Sequence, residues 1–456
     1  HLPEPLPDQL ALWNNLYEHA WQQLDADARC FWLASWLLPP AYVLPDLAAL
    51  VSGQGTARSA QSAHRLRQLS LLAFDTVHER YVLHSVARAY LREKIKHEPL
   101  YDWVRIASQR LSGAVLGSPY AAQLALHLVE LAELLGLSLV DRVKLIQAAW
   151  PNIAHQGLWA TWRPVLEAQV DAARRSSHPV ARVALLRALG VAYRWLGRYD
   201  RAEMYLEEAL QFADRSGSMP DYVQTLAELA VVYRYRGHLS SAQTAARHAL
   251  AEFRRLGDAA GVERCQLELA QLALDRQQPQ DAIDQLEAVP LSARSAALAC
   301  NAHLLLNDLQ EALIWAERAV MLAADDRPNQ ARAQATLGRV LLELGRLSEA
   351  EDHLSLALSL LEQQHDMLGW ARAASTLAQV YSLEGNLAEA EVLLDDAAAQ
   401  QRLIQDRLGL KATLQAQLSL YASMAEAALR AGREQRGVEL TILIREIDAE
   451  WRALGG

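Results

Sequence analysis

The chain has 456 residues, a formal net charge of −10 and 52% apolar residues, with only 21 Gly and 15 Pro. Ala, Leu, Glu, Gln and Arg, all strong helix formers, dominate, which points to an all-helical protein long enough for two or three domains or one elongated array. The acidic balance repels nucleic acid and anionic membrane surfaces, and no run approaches the roughly 20 apolar residues that cross a bilayer.

The N-terminal run HLPEPLPDQL has no basic flank and no apolar signal core, so a cytoplasmic location is expected. It begins without Met inside a Pro-rich run, as a piece cut from a longer protein would. FWLASWLLPPAYVL is the most apolar stretch, but it is short and broken by two prolines. Periodicity predicts helices over 9–23, 25–38, 44–52 and 57–70. LLAFDTV (71–77), an HE turn and RYVLH (80–84) then read as a two-stranded hairpin, and SVARAYLREK (85–94) opens an exit helix. Three or four helices followed by such a hairpin give the outline of a small winged-helix domain over 1–98. In a DNA-reading winged helix, 57–69 would be the recognition helix, with Arg58, His64, Arg65 and Arg67 supplying charge. Residues 1–98 hold nine Lys/Arg against ten Asp/Glu, however, so no basic footprint stands out and no nucleic-acid partner is expected. On its own, His84 reads as a strand-end histidine bonded to nearby backbone.

Residues 99–140 read as helices without a repeat, a helical arm. From 141 to 456 a period takes over. GLWATW at 157, GRYDRA at 197, GHLSSA at 237, QQPQDA at 277, NDLQEA at 307, GRLSEA at 345 and GNLAEA at 385 follow one another at 40, 40, 40, 30, 38 and 40 residues. An apolar-periodic helix precedes and follows each anchor. Gly197 stands where the first helix must end and the chain reverse, a position suited to a left-handed cap. Ala202 is placed where the second helix crosses the first closely. Leu189, Tyr193, Leu206 and Ala209 form the seam between them. One pair cannot bury its apolar face alone, so stacking is required.

These residues resemble the tetratricopeptide repeat. Leu189, Gly190, Tyr193, Gly197, Ala202 and Ala209 fall at that pattern's offsets, and so do Leu229, Tyr233, Gly237, Ala242 and Ala249, and Leu377, Tyr381, Gly385, Ala390 and Ala397. The consensus is about 34 residues, so these helices should be about a turn longer. The repeat at 307 is shorter and carries Asn307 for Gly and His303 for Tyr; the one at 157 has Trp162 for Ala and is a doubtful or capping repeat. The expected fold is therefore all-α, a right-handed tetratricopeptide-repeat superhelix preceded by a small winged-helix domain. In such superhelices ligands usually lie along the concave face made by first helices. By repeat register that face receives Arg187, Arg194, Trp195, Arg234 and Tyr235, of residue types enriched in binding hot spots; solvated helix-end packing is the other reading.

Residues 24–51, 66–74 and 80–94 in turn resemble the winged-helix domain of STAND signalling ATPases, the group that includes NB-ARC proteins. In that family the module ends in a hydrophobic–His–Asp or His–Pro motif whose histidine contacts the β-phosphate of bound ADP. Mapped by motif it is His84, preceded by Leu83, with Ser85 in place of the familiar Asp or Pro and able to cap the next helix. The resemblance implies ADP or ATP on a nucleotide-binding domain that this sequence lacks, with no cofactor in this part itself.

No GxxxxGK[ST], HExxH, GxSxG or Ca-loop pattern occurs, no CxxC pairs Cys30, Cys265 or Cys300, and the 14 histidines do not cluster. The three thiols read as buried and free. Asp325–Asp326 and Asp395–Asp396 read as solvated or dipole-matching charges. The chain is not expected to be an enzyme. The function implied is the inducer-sensing, autoinhibitory half of a STAND ATPase, its array binding a protein, peptide or small-molecule inducer. A protein–protein adaptor and a DNA-binding regulator are the alternatives.

Overall fold

The computed structural model describes residues 7–38, 48–49, 53, 55–76, 80–95, 121–134, 138–156, 158–176, 178–324, 326–364, 366–403 and 406–454. These residues hold twenty-one helices and one two-stranded hairpin, and the chain divides into two compact units, His1–Ala181 and Arg182–Gly456.

In the first unit, α1 (Pro7–Gln23), α2 (Ala26–Leu37) and α3 (Thr56–Gln68) lead to β1 (Ala73–Asp75), β2 (Arg80–Val82) and α4 (Ser85–Ile95). The helix expected over 44–52 and the HE turn at 78–79 lie almost wholly outside the described residues, as does 99–120 of the expected arm. Asp25 starts α2 by accepting the Ala28 N–H at 2.8 Å, and its other oxygen holds Arg65 of α3 at 2.9 Å. Aromatic packing makes the core: Trp32, fully buried, lies 5.9 Å from Tyr17 and 5.7 Å from Tyr90, centroid to centroid. Glu18 of α1 then accepts from the Tyr90 hydroxyl at 3.0 Å and pairs with Lys94 at 2.7 Å, fastening α4 to α1.

The hairpin is antiparallel, with Phe74 opposite Tyr81 and Asp75 opposite Arg80. Three of the four groups that might have charged a recognition helix are engaged within the unit: Arg65 on Asp25, Arg67 over the Phe74 ring at 4.6 Å, and His64 with the Gln68 amide at 3.0 Å. The unit continues through α5 (Ala121–Leu134), α6 (Leu139–Gln156) and α7 (Trp159–Arg174), where Trp162 is fully buried.

The second unit is the repeat array. It runs from α8 (Pro179–Trp195) through α9 (Tyr199–Ser216), α10 (Met219–Tyr235), α11 (Leu239–Leu256), α12 (Ala259–Asp275), α13 (Pro279–Glu287) and α14 (Ala293–Leu305). It goes on through α15 (Leu309–Leu322), α16 (Arg327–Glu343), α17 (Leu347–Gln363), α18 (Met367–Glu384), α19 (Leu387–Leu403) and α20 (Arg407–Arg430) to α21 (Glu434–Ala453). The regular helices run 17 or 18 residues, whereas α13 has 9 and α14 has 13, which accounts for the 30-residue step in the middle; α15, in the 38-residue step that follows, has 14.

Each reversal is made as its residues require. Gly197 takes φ 68°, and the Arg198 N–H reaches back to the Tyr193 carbonyl at 2.9 Å, closing α8 with a Schellman turn. Gln277 (φ 60°) and Asn307 (φ 57°) adopt the same left-handed geometry where glycine is missing. Ala202, Leu206, Ala209 and Leu189 are fully buried in the seam. A Cβ on Gly190 would lie 2.6 Å from Leu206 Cγ, so this glycine lets α8 and α9 approach. Asp326 caps α16 through the Asn329 N–H at 3.3 Å; Asp325 lies outside the described residues. Asp395 is exposed, as a solvated charge would be, yet accepts from Gln417 at 2.7 Å and Tyr421 at 3.1 Å.

One partly buried pair ties α4 to α5. Arg88 donates to the Leu38 carbonyl at 3.2 Å and to His127 Nε2 at 3.3 Å; arginine cannot accept, so His127 is neutral with its proton on Nδ1. Burial, then the Arg88 charge, lowers the His127 pKa to about 4. Because this folded value lies below the unfolded one, its contribution is complete above about pH 6.5 and is lost as pH falls toward 4. Chemical denaturation of the wild type should show a loss of about 2–3 kcal/mol from this group between pH 7 and 4.5. His127→Gln should lack that increment, and equal slopes in the two proteins would refute the assignment.

Candidate functional site

The even-numbered helices from α8 onward carry the inner face of the array, and their polar residues were set there by the period. Apolar residues at the seam positions turn inward to the partner helix, which leaves the remaining stripe of each inner helix facing a groove. A cavity of about 660 Å³ lies along it, bounded by Gln271 and Asp275 of α12, Asn301 of α14, Arg339 of α16, Thr376 and Gln379 of α18 and Thr413 of α20. A second cavity, of about 240 Å³, adjoins it and is bounded by Arg234, Tyr235, Arg332 and Arg372, sharing Asn301 and Arg339 with the first.

The residues chosen by register are placed as follows. Arg234 is buried, its Nε donating to Glu268 at 2.6 Å and Nη1 to Asp275 at 3.3 Å. Its guanidinium also covers the Tyr235 ring at 4.3 Å, and Tyr235 stacks on Tyr199 with centroids 5.0 Å apart and planes 8° from parallel. Arg194 pairs with Glu228 at 3.5 Å and lies 5.0 Å from the Trp195 ring. Arg187, two turns back along α8, pairs with Asp221 at 3.2 Å and lines neither cavity. The structure therefore brings Arg194, Trp195, Arg234 and Tyr235 into one neighbourhood, in which Arg234 and Tyr235 bound the smaller cavity while Arg194 and Trp195 bound neither, and leaves Arg187 in the contact between successive inner helices.

Register did not single out the opposite wall. Arg332 of α16 reaches across the groove to within 5.5 Å of the Trp195 ring while pairing with Asp366 at 2.9 Å. Arg372 of α18 makes a two-pronged pair with Asp406 at 3.1 and 3.0 Å. Both aspartates are N-caps, Asp366 accepting the Gly369 N–H at 2.9 Å and Asp406 the Gly409 N–H at 3.2 Å. Each arginine thus ties its helix to the start of the next inner helix, 34 residues on. A sequence signal for these residues existed: ARAQATL (331–337) recurs as ARAASTL (371–377).

Burial alone would raise the Tyr235 phenol, but Arg234, Arg332, Arg372 and Arg194 outweigh it and hold its pKa below the ordinary tyrosine value. The array thus offers a groove with cationic, aromatic and amide surfaces, together with an aliphatic part from Leu274, Leu304, Leu305 and Leu309.

His84 belongs to the first unit. It is exposed at the start of α4, and its carbonyl accepts the Arg88 N–H at 2.9 Å, the first bond of the helix. The cap position is therefore that of His84, and Ser85 is the first helical residue rather than the cap. Among the described residues, no helix is long and apolar enough to cross a membrane.

The tetratricopeptide repeat family model matches residues 181–255, which contain α9, α10 and nearly all of α8 and α11. No curated protein matches the chain. Among solved structures the chain is similar to a Signal Transduction ATPase with Numerous Domains (STAND) protein with a tetratricopeptide repeat sensor from Pyrococcus horikoshii. That likeness has a TM-score of 0.55 at 13% identity and covers 94% of this chain and 67% of that one. It is also similar to the Rap conjugation gene regulator of plasmid pLS20, solved with the Phr* peptide, with a TM-score of 0.52 at 14% identity, covering 82% of this chain and 96% of that one.

Removing Arg234 leaves Asp275 without its charge partner and Glu268 with only Arg294, 3.7 Å away. Arg234→Ala should lower unfolding stability by about 3–5 kcal/mol, measured by urea titration. Arg234→Leu combined with Glu268→Leu should recover part of that loss, since apolar replacement removes the orphaned charge as well. A single-variant loss below 1 kcal/mol would contradict the pairing.

Proposed function

We propose that this chain is the inducer-sensing and autoinhibitory part of a STAND signal-transduction ATPase, with its repeat array binding a protein, peptide or small-molecule inducer. The observation that carries the binding role is the groove: a 660 Å³ cavity whose wall is polar on helix after helix. That wall sets a guanidinium, amides and hydroxyls side by side, so a ligand would meet charged and neutral hydrogen-bonding groups together. The structural likeness to a STAND protein with a repeat sensor supports that architecture. The likeness to a regulator solved with a peptide supports a peptide as one class of inducer.

In this reading residues 1–98 are the winged-helix module, and His84 is its contact to ADP held on a nucleotide-binding domain. The local geometry fits a phosphate: the imidazole is exposed at the start of α4, where free backbone N–H groups favour an anion. Bound ADP would hold the resting state; the part played by this chain is the imidazole contact and the inducer site. Inducer binding then acts by population shift and must be tighter in the open state than in the resting one. A peptide-docking adaptor is the second reading, favoured by the same peptide-bound regulator.

Thermal unfolding against fractionated cell extract should reveal fractions that raise the midpoint, because a ligand of the native state alone stabilises it. Trp195→Ala and Tyr235→Ala should abolish that rise, and responses equal to wild type would remove the groove as the site. In a polypeptide that includes the nucleotide-binding domain, His84→Ala should shorten ADP retention; unchanged retention would remove the STAND assignment while leaving the binding role.

A further inference from the structure

The guanidiniums along the groove follow a rule that one residue breaks. Arg194, Arg234, Arg294, Arg332 and Arg372 each have a carboxylate oxygen within 3.7 Å. Arg339, which bounds both cavities, pairs with no carboxylate among the described residues. Its Nη2 donates to the neutral side-chain oxygen of Asn301, and its Nε–H is buried without an acceptor. Glu343, one turn further along α16, is exposed and does not reach it as an ion pair. Burial lowers the basicity of Arg339; Cys300 and Glu343, the latter a carboxylate lining the larger cavity, act against this, and the Arg372 charge acts with it. A partly buried guanidinium without a counter-charge is costly, and an oxyanion on its edge would supply both the missing charge and paired acceptors.

A second set of unmet groups lies in the same cavity. Gln401 and Thr413 are buried, and both amide atoms of Gln401 and the Thr413 hydroxyl lack partners. Their neutral donors and acceptors suit amide or hydroxyl groups of a ligand rather than a second charge. The volume, about 660 Å³, is in the range of small-molecule sites.

We infer that the inner groove is an anion-recognition site in which Arg339 and Asn301 bind the carboxylate or phosphate of a small ligand, and Gln401 and Thr413 bind its neutral polar groups. This rests on the groove being the inducer site and names the chemistry it selects.

Citrate and inorganic phosphate, each titrated at ionic strength matched with sodium chloride, are the probes, read by the thermal midpoint of the whole chain. At ten times the dissociation constant the midpoint of the wild type should rise by about 1.5 °C. A larger response to citrate identifies a carboxylate ligand, and a larger response to phosphate a phosphate. Arg339→Gln should lose the response, whereas Arg346→Gln, at an exposed arginine outside the groove, should keep it. Asn301→Asp is nearly isosteric and supplies the missing carboxylate. It should raise the resting midpoint and abolish the response to both anions, which keeps the test decisive if Arg339→Gln does not fold. No wild-type response beyond the chloride control, or a full response in Asn301→Asp, overturns the inference. An extract-derived inducer that needs Trp195 and Tyr235 but is indifferent to Arg339→Gln overturns this inference and spares the groove reading. A citrate or phosphate response without any extract response does the reverse.

Discussion

The array depends on one constraint: a two-helix repeat cannot cover its own apolar face, so each pair is stable only against the next. Close approach makes this possible. Ala202, Ala242, Ala350 and Ala390, each four or five residues beyond a turn, are fully buried where the second helix crosses the first. A larger side chain there would separate the helices and open the seam above and below it. The same constraint fixes the turns, because a reversal that begins one residue late rotates the following helix by about 100° and turns its apolar stripe away from the stack. Gln277 and Asn307 show its strength, since both accept a left-handed backbone to keep the register.

Stacking by apolar seams leaves a polar inner stripe that must be neutralised internally. The solution is a ladder in which an arginine on one inner helix holds an acidic residue at the start of the next, as in Arg187–Asp221, Arg332–Asp366 and Arg372–Asp406. At Asp366 and Asp406 the same carboxylate also caps the helix, so one side chain satisfies backbone N–H groups and a guanidinium together. These contacts link the groove wall to helix starts. A ligand that competed for one of these guanidiniums would alter how two successive repeats are joined. Arg339 stands apart because its polar partner is an amide.

The first unit follows different physics. Its core is aromatic, built on Trp32 between Tyr17 and Tyr90, and its elements are fastened by Glu18, Asp25 and Arg88 rather than by a repeating seam. His84 is left exposed at the start of α4 while Leu83 beside it is buried, which separates the residue that anchors the hairpin from the one available to a partner.

Sequence alone determined the repeat architecture, because period, turn residues and seam alanines are local requirements that recur every 40 residues or so, and Leu189, Tyr193 and Ala202 are buried as that reading demands. It also located the hairpin and the helix that follows His84, from alternation and a change of period. Only the tertiary structure decided which side chains share the groove. Arg332 lies 137 residues from Trp195 in the chain yet within 5.5 Å of its ring, because the curvature summed over several repeats brings them together. The same holds for charge. Arg234 and Arg339 are both arginines on inner helices, but one is buried between two carboxylates and the other faces an amide. That difference is set by partners contributed from other helices, which no local pattern in the sequence encodes.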